Sequence, residues 1–125
     1  NQQVIEMKLG EIVNSREAIA NVLAAKLPIK AAYQLSRIGL ELSKEIEAFT
    51  AARNAAITSL GTCNEGGAFE IKVTHAEYPE FERQMNELLA ADVKIDRDPV
   101  RMQDLGDKAE VSASDLIVCS KFITE

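Results

Sequence analysis

From about Ile29 to Leu60 the chain runs between two punctuation marks, Pro28 and Gly61, and its apolar residues recur at a helical interval. Leu35, Ile38, Leu42, Ile46, Phe49, Ile57 and Leu60 line one face at about 100° per residue. Leu35, Ile46 and Ile57 lie eleven apart, as do Ile38, Phe49 and Leu60. A strict heptad is needed to hold a left-handed supercoil seam, so this spacing argues against a long two-stranded coiled coil. It predicts a nearly straight helix packed along a compact partner surface, antiparallel to a preceding helix, with Gly61 as its C-terminal stop.

That preceding helix is expected from about Glu11, where Ile12, Val13, Ile19, Val22, Leu23 and Leu27 recur at helical spacing until Pro28 ends the run. Val4, Met7 and Leu9 around charged Glu6 and Lys8 predict a short edge strand before Gly10. After Gly61 the character changes. Thr62 to Gly67 reads as a turn, with Gly66-Gly67 as hairpin chemistry, and Phe69, Ile71 and Val73 alternate with polar residues as in a half-buried strand. A third helix is expected over Tyr78 to Leu89, with Pro79 in its first turn. Val93 and Ile95, then Val100 and Met102, suggest a small sheet. Ser112 followed by Asp115 marks the start of a last short helix carrying Leu116, Ile117 and Phe122. The expected fold class is α+β and mainly helical: a long helical hairpin over about 11–60, with a small antiparallel sheet and a third helix in an α+β portion over about 62–125, all in one domain.

Two features of the long helix bear on function. Ile29, Tyr33 and Leu40 fall on roughly the side opposite the main stripe, giving its first half two apolar faces. Either the C-terminal segments cover this second face, or another protein chain does. Arg53 points into the main stripe between Phe49 and Ile57, where an unpaired charge is expensive, so a carboxylate partner or an open end is expected there.

Charge is unevenly distributed. The net charge is −6, but residues 1–61 hold seven Lys/Arg against six Asp/Glu and residues 62–125 hold seven against fourteen. An acidic half repels phosphate backbones and disfavours direct binding to nucleic acid or anionic membrane. Lys30, Arg37 and Lys44 recur every seven residues and trace a basic ribbon suited to an anionic partner, although Glu41 and Glu47 interleave with it as on an ordinary solvated face. The apolar run from Ala18 to Ala25 is far shorter than the roughly 20 residues of a membrane span. Nor does the Asn1-Gln2-Gln3-Val4 start read as a signal peptide. The expected location is the cytoplasm.

Catalytic equipment is sparse. The one His, His75, has no Ser or Cys partner nearby in sequence, and Gly66-Gly67 lacks the rest of a phosphate loop. Cys63 and Cys119 stand alone, and with His75 they supply at most three metal ligands. Asp92, Asp96, Asp98 and Asp104 lack the order of a calcium loop. The expectation is a non-enzymatic protein without metal, cofactor or small-molecule substrate, working through a protein partner or a second copy of itself. Two alternatives stand beside it: an acidic inhibitor that imitates nucleic acid, and an enzyme or metal protein built on His75, Cys63 and the acidic loop.

The stretches Ile12-Val13-Asn14, Lys26-Leu27-Pro28-Ile29-Lys30-Ala31-Ala32-Tyr33 and Glu47-Ala48-Phe49-Thr50-Ala51-Ala52-Arg53-Asn54 resemble a family of small proteins of tailed bacteriophages and prophages, known chiefly as a domain of unknown function. The similarity continues through Phe81 to Leu89, Val93-Lys94-Ile95 and Ser112 to Leu116, and departs at Cys119-Ser120-Lys121. These motifs specify packing rather than catalysis. The resemblance therefore implies no active residues, only a context of assembly or host interaction, in the host cytoplasm, where surfaces do the work.

Overall fold

The structure, a computed structural model, describes residues 4–125. Strand β1 (Ile5–Lys8) buries Ile5 and Met7 and exposes Glu6 and Lys8. It pairs antiparallel with β4 (Asp92–Ile95), setting Ile5 opposite Ile95 and Met7 opposite Val93. A one-residue slip would turn both apolar side chains to water, which fixes the register. On the outer face Lys8 Nζ lies 2.6 Å from Asp92 Oδ1, and Lys94 Nζ lies 3.8 Å from Glu6 Oε1. The expected edge strand is thus present, with inward positions at Ile5 and Met7 while Val4 is exposed; the expectation for Asn1 to Gln3 lies outside the described residues.

No loop separates β1 from α1 (Leu9–Asn14): the Glu11 carboxylate accepts the Lys8 backbone N–H at 3.0 Å, closing the first turn. The helix then bends. Ser15 is fully buried, its hydroxyl donates to the Ile12 carbonyl at 2.8 Å, and its N–H is shared between the Glu11 and Ile12 carbonyls. Beyond it α2 (Arg16–Ala24) continues. The single helix expected from Glu11 to Leu27 is therefore two segments, ending three residues early because the chain turns extended at Ala25 (φ −72°, ψ 162°) on its way to Pro28.

Helix α3 (Ile29–Leu60) is unbroken over 32 residues, about 48 Å at the α-helical rise. Its expected apolar stripe divides into two regimes. Ala31, Leu35, Ile38 and Leu42 are buried, whereas Ile46, Phe49, Ile57 and Leu60 are only partly so. The first half is embedded among α1, α2 and β5 (Val100–Arg101), and the helix also packs against α4 (Tyr78–Leu89) and a small hairpin.

That hairpin joins β2 (Thr62–Cys63) to β3 (Phe69–Glu70). Its loop is held by Asn64, whose Oδ1 accepts the Gly66 and Ala68 N–H groups at 2.9 and 3.1 Å, with Gly67 at φ +83°. Gly61 closes α3 as expected, in extended geometry (φ −87°). It is glycine for space, because a Cβ would collide with the Glu70 carbonyl oxygen and lie 2.6 Å from that of Ile57. The strand expected through Val73 stops at Glu70, since a turn closed by His75 N–H to the Lys72 carbonyl at 2.8 Å folds Val73 outward.

Val93 and Ile95 do not share a sheet with Val100. Strand β5 pairs in parallel with β6 (Ile123–Thr124), and Met102 opens a 3-10 turn (Met102–Leu105). The intervening crossover contains α5 (Ala113–Val118), capped by Ser112, whose hydroxyl accepts the Asp115 N–H at 3.1 Å. Phe122 falls beyond this helix, fully buried, while Ile117 faces water. The mainly helical α+β class holds, with small antiparallel sheets β1–β4 and β2–β3 and the one parallel pair. One core cluster draws Ile12, Leu35, Ile38 and Leu42 together with Ile95, Val100, Leu105, Cys119 and Phe122.

Two glycine substitutions should act in opposite directions. Gly61→Ala is expected to lower stability by about 1–3 kcal/mol through overpacking against the hairpin. At Gly39, inside α3, a Cβ would make ordinary contacts of 3.5 and 3.7 Å with the Leu23 and Ile19 methyls. Gly39→Ala should therefore raise stability by about 0.5–1 kcal/mol. Urea midpoints at constant slope measure both.

Candidate interaction surface

The chemically versatile side chains do not assemble. Cys119 is buried in the core, with its thiol pushed up to about 11 by burial and, secondarily, by the nearby Asp115 charge. Cys63 is exposed on the hairpin. His75 is used structurally. Its Nδ1 accepts the Glu77 backbone N–H at 2.9 Å, so Nε2 carries the proton of the neutral ring and donates to Thr62 Oγ1 at 3.0 Å. One side chain thus pins the 72–77 turns to the hairpin. In the acidic loop Asp92 is engaged with Lys8, and among the described residues no three His, Cys, Asp or Glu side chains are grouped to hold a metal ion. On α4 the Glu80 carboxyl is held at about 2, first by hydrogen bonds from Arg83 and then by one from Gln84. This exposed cluster stiffens the helix surface.

Arg53 takes the open-end alternative. It is exposed, no carboxylate lies within 4.0 Å of it among the described residues, and it borders a shallow groove with Asn54, Ile57, Phe69 and Tyr78. Because the second half of α3 is only partly covered, the guanidinium stays in water and the desolvation expected of a buried charge does not arise.

The second face of α3 is the surface that stands out. Ile29, Tyr33 and Leu40 are 87, 62 and 64% exposed. The C-terminal segments, one of two expected covers, pack on the other side of the helix; nothing in the described chain lies over these three. Arg37 stretches along the same face with its guanidinium 5.5 Å from the centre of the Tyr33 ring. The stripe also continues sideways. Where α2 crosses α3, Ile19, Ala20, Leu23, Gly39, Leu40 and Ile46 line a largely apolar groove of about 530 Å³, with Arg16 and Glu47 at its edge. Leu23, one of the helically spaced apolar residues of the first helical stretch, belongs to this surface. Across the groove the Leu23 and Ile19 methyls lie over Gly39 with room for a Cβ at 3.5 and 3.7 Å.

The two thiols should separate cleanly. Cys63 is expected to react with a thiol reagent at once and Cys119 only on unfolding, giving one equivalent of rapid modification; two rapid equivalents would contradict the buried position. For His75, two-bond proton–nitrogen correlation at neutral pH should show the Nε2–H tautomer, and Thr62→Val should loosen the 72–77 turns without changing the fold.

No protein-family model, curated protein or solved structure matches this chain.

Proposed function

We propose that this chain is a non-enzymatic interaction protein that binds another protein through the Ile29, Tyr33 and Leu40 face of α3, in the setting of tailed-phage or prophage assembly or host interaction. The observation that carries the reading is the uncovered stripe itself. Three large side chains on one helix face, joined to Leu23 across the groove, stay in water while the opposite face of the same helix supplies the core. Single exposed apolar residues are ordinary, but a contiguous set bordered by polar groups marks an interaction site. Each of these side chains gains about 1.5–3 kcal/mol when removed fully from water. Tyr and Arg, stacked here as Tyr33 and Arg37, are favoured as interface anchors.

The nucleic-acid mimic draws less support. Such a mimic needs carboxylates in an unbroken file, and here they alternate with cations: Glu6 with Lys94, Asp92 with Lys8, and Glu80 and Glu87 with Arg83.

Leu40→Asp is expected to abolish partner capture or self-association while shifting the melting midpoint by no more than a few degrees. Val73→Asp, at an equally exposed site on the hairpin side, should leave binding intact. Light scattering and affinity capture on the two variants measure the outcome; capture unchanged by Leu40→Asp would remove the proposal.

A further inference from the structure

Resting on that reading, we infer that the partner is an acidic amphipathic helix, laid along the Tyr33–Leu40 stripe with its apolar side in the α2–α3 groove and its carboxylates on the basic flank of α3. The argument begins with charge. The chain as a whole is acidic, yet the flank beside the stripe is not: Lys30, Arg37 and Lys44 follow one another at seven-residue spacing along it. Lys30 and Arg37 make no ion pair within 4.0 Å among the described residues. Lys44 shares a single carboxylate, Glu41, with Arg97, at 3.5 and 3.7 Å. Along this flank of α3 two of the three cations, Lys30 and Arg37, are therefore left for a partner. The interleaving seen in the sequence is thus unequal in space, because Glu41 is already committed twice. Charges act over roughly 8 Å at physiological salt, so a partner on this edge meets these cations first.

Shape selects the kind of partner. From Ile29 to Leu40 the stripe runs three helical turns, about 16 Å, beside a groove floored by Leu23 and Gly39. A helix of three to five turns with one apolar face matches that length, as in other helix-in-groove recognition. Tyr33 is the one aromatic ring among Leu23, Ile29, Tyr33 and Leu40, and Arg37 already lies over it, so the surface offers no series of platforms for successive bases. A second copy of the chain fits less well. In a two-fold antiparallel pairing of α3 each flank meets its own equivalent, so Lys30, Arg37 and Lys44 would face themselves. Glu47, at the far end of the stripe near Arg16, gives the partner a direction: its acidic side belongs toward the Lys30 end.

The test uses two synthetic helical peptides, each about 18 residues long, with the same leucine spacing and either Glu or Lys on the flanks. They are titrated into the isotope-labelled 125-residue chain. The Glu peptide is expected to shift the signals of Leu23, Tyr33 and Leu40, with affinity falling roughly tenfold between about 50 and 300 mM salt. The Lys peptide should bind at least about tenfold more weakly. The double variant Lys30→Glu, Arg37→Glu should reverse the preference. If both peptides bind this face equally, and Leu40→Asp abolishes both, the acidic partner is overturned while the interaction face survives. If neither peptide shifts these residues, or a mass measurement shows the face occupied by a second copy, the inference falls. Capture unaffected by Leu40→Asp would take the interaction reading down with it.

Discussion

Leu35, Ile38 and Leu42, on successive turns of one helix, have almost no contact with water, and every other element of the core is arranged to keep it so. On either side of the interruption at Ser15, α1 and α2 both pack against α3. The parallel β5–β6 pair delivers Val100 and Ile123 to the same cluster, and the turn after α5 delivers Phe122 and Cys119. A large aliphatic side chain buried in this way contributes about 1.5–3 kcal/mol, against about 1–2 kcal/mol for fixing each residue's backbone. The short segments around α3 are therefore ordered by this shared core. None is long enough to stand alone.

Much of this was legible in the residues. The bounds of α3, its buried stripe, the third helix and the Ser112 cap follow from spacing and end signals, because these are local properties of a helix. The rest depended on contacts distant in sequence. Ser15 breaks the first helix through a hydroxyl-to-carbonyl bond that nothing in its neighbours announces. Val73 carries strand character but lies in a turn pinned by His75 and Thr62, thirteen residues apart. Strands β5 and β6 are two residues each, too short to show an alternation. Gly61 was legible as a terminus, but the room it makes for the Glu70 carbonyl was not. The stripe of Ile29, Tyr33 and Leu40 was visible, but only coordinates could say that it stays uncovered.

The same anchoring explains where a surface for binding arises. A helix whose core face is fixed holds the backbone of its opposite face rigid, so Tyr33, Arg37 and Leu40 are presented with only their side chains left to order at the moment of association. The crossing of α2 over α3 beside Gly39 places a groove along this stripe. By contrast, the His75 pin, the Glu80–Arg83 cluster and the buried Cys119 serve the fold.

The account turns on one asymmetry within α3, and methyl signals report it directly. With a soluble paramagnetic agent added to the isolated chain, the methyls of Ile29 and Leu40 should relax strongly while those of Leu35, Ile38 and Leu42 remain unaffected. Equal protection of both sets in a monomer would mean that the second face is covered after all, and would contradict the account.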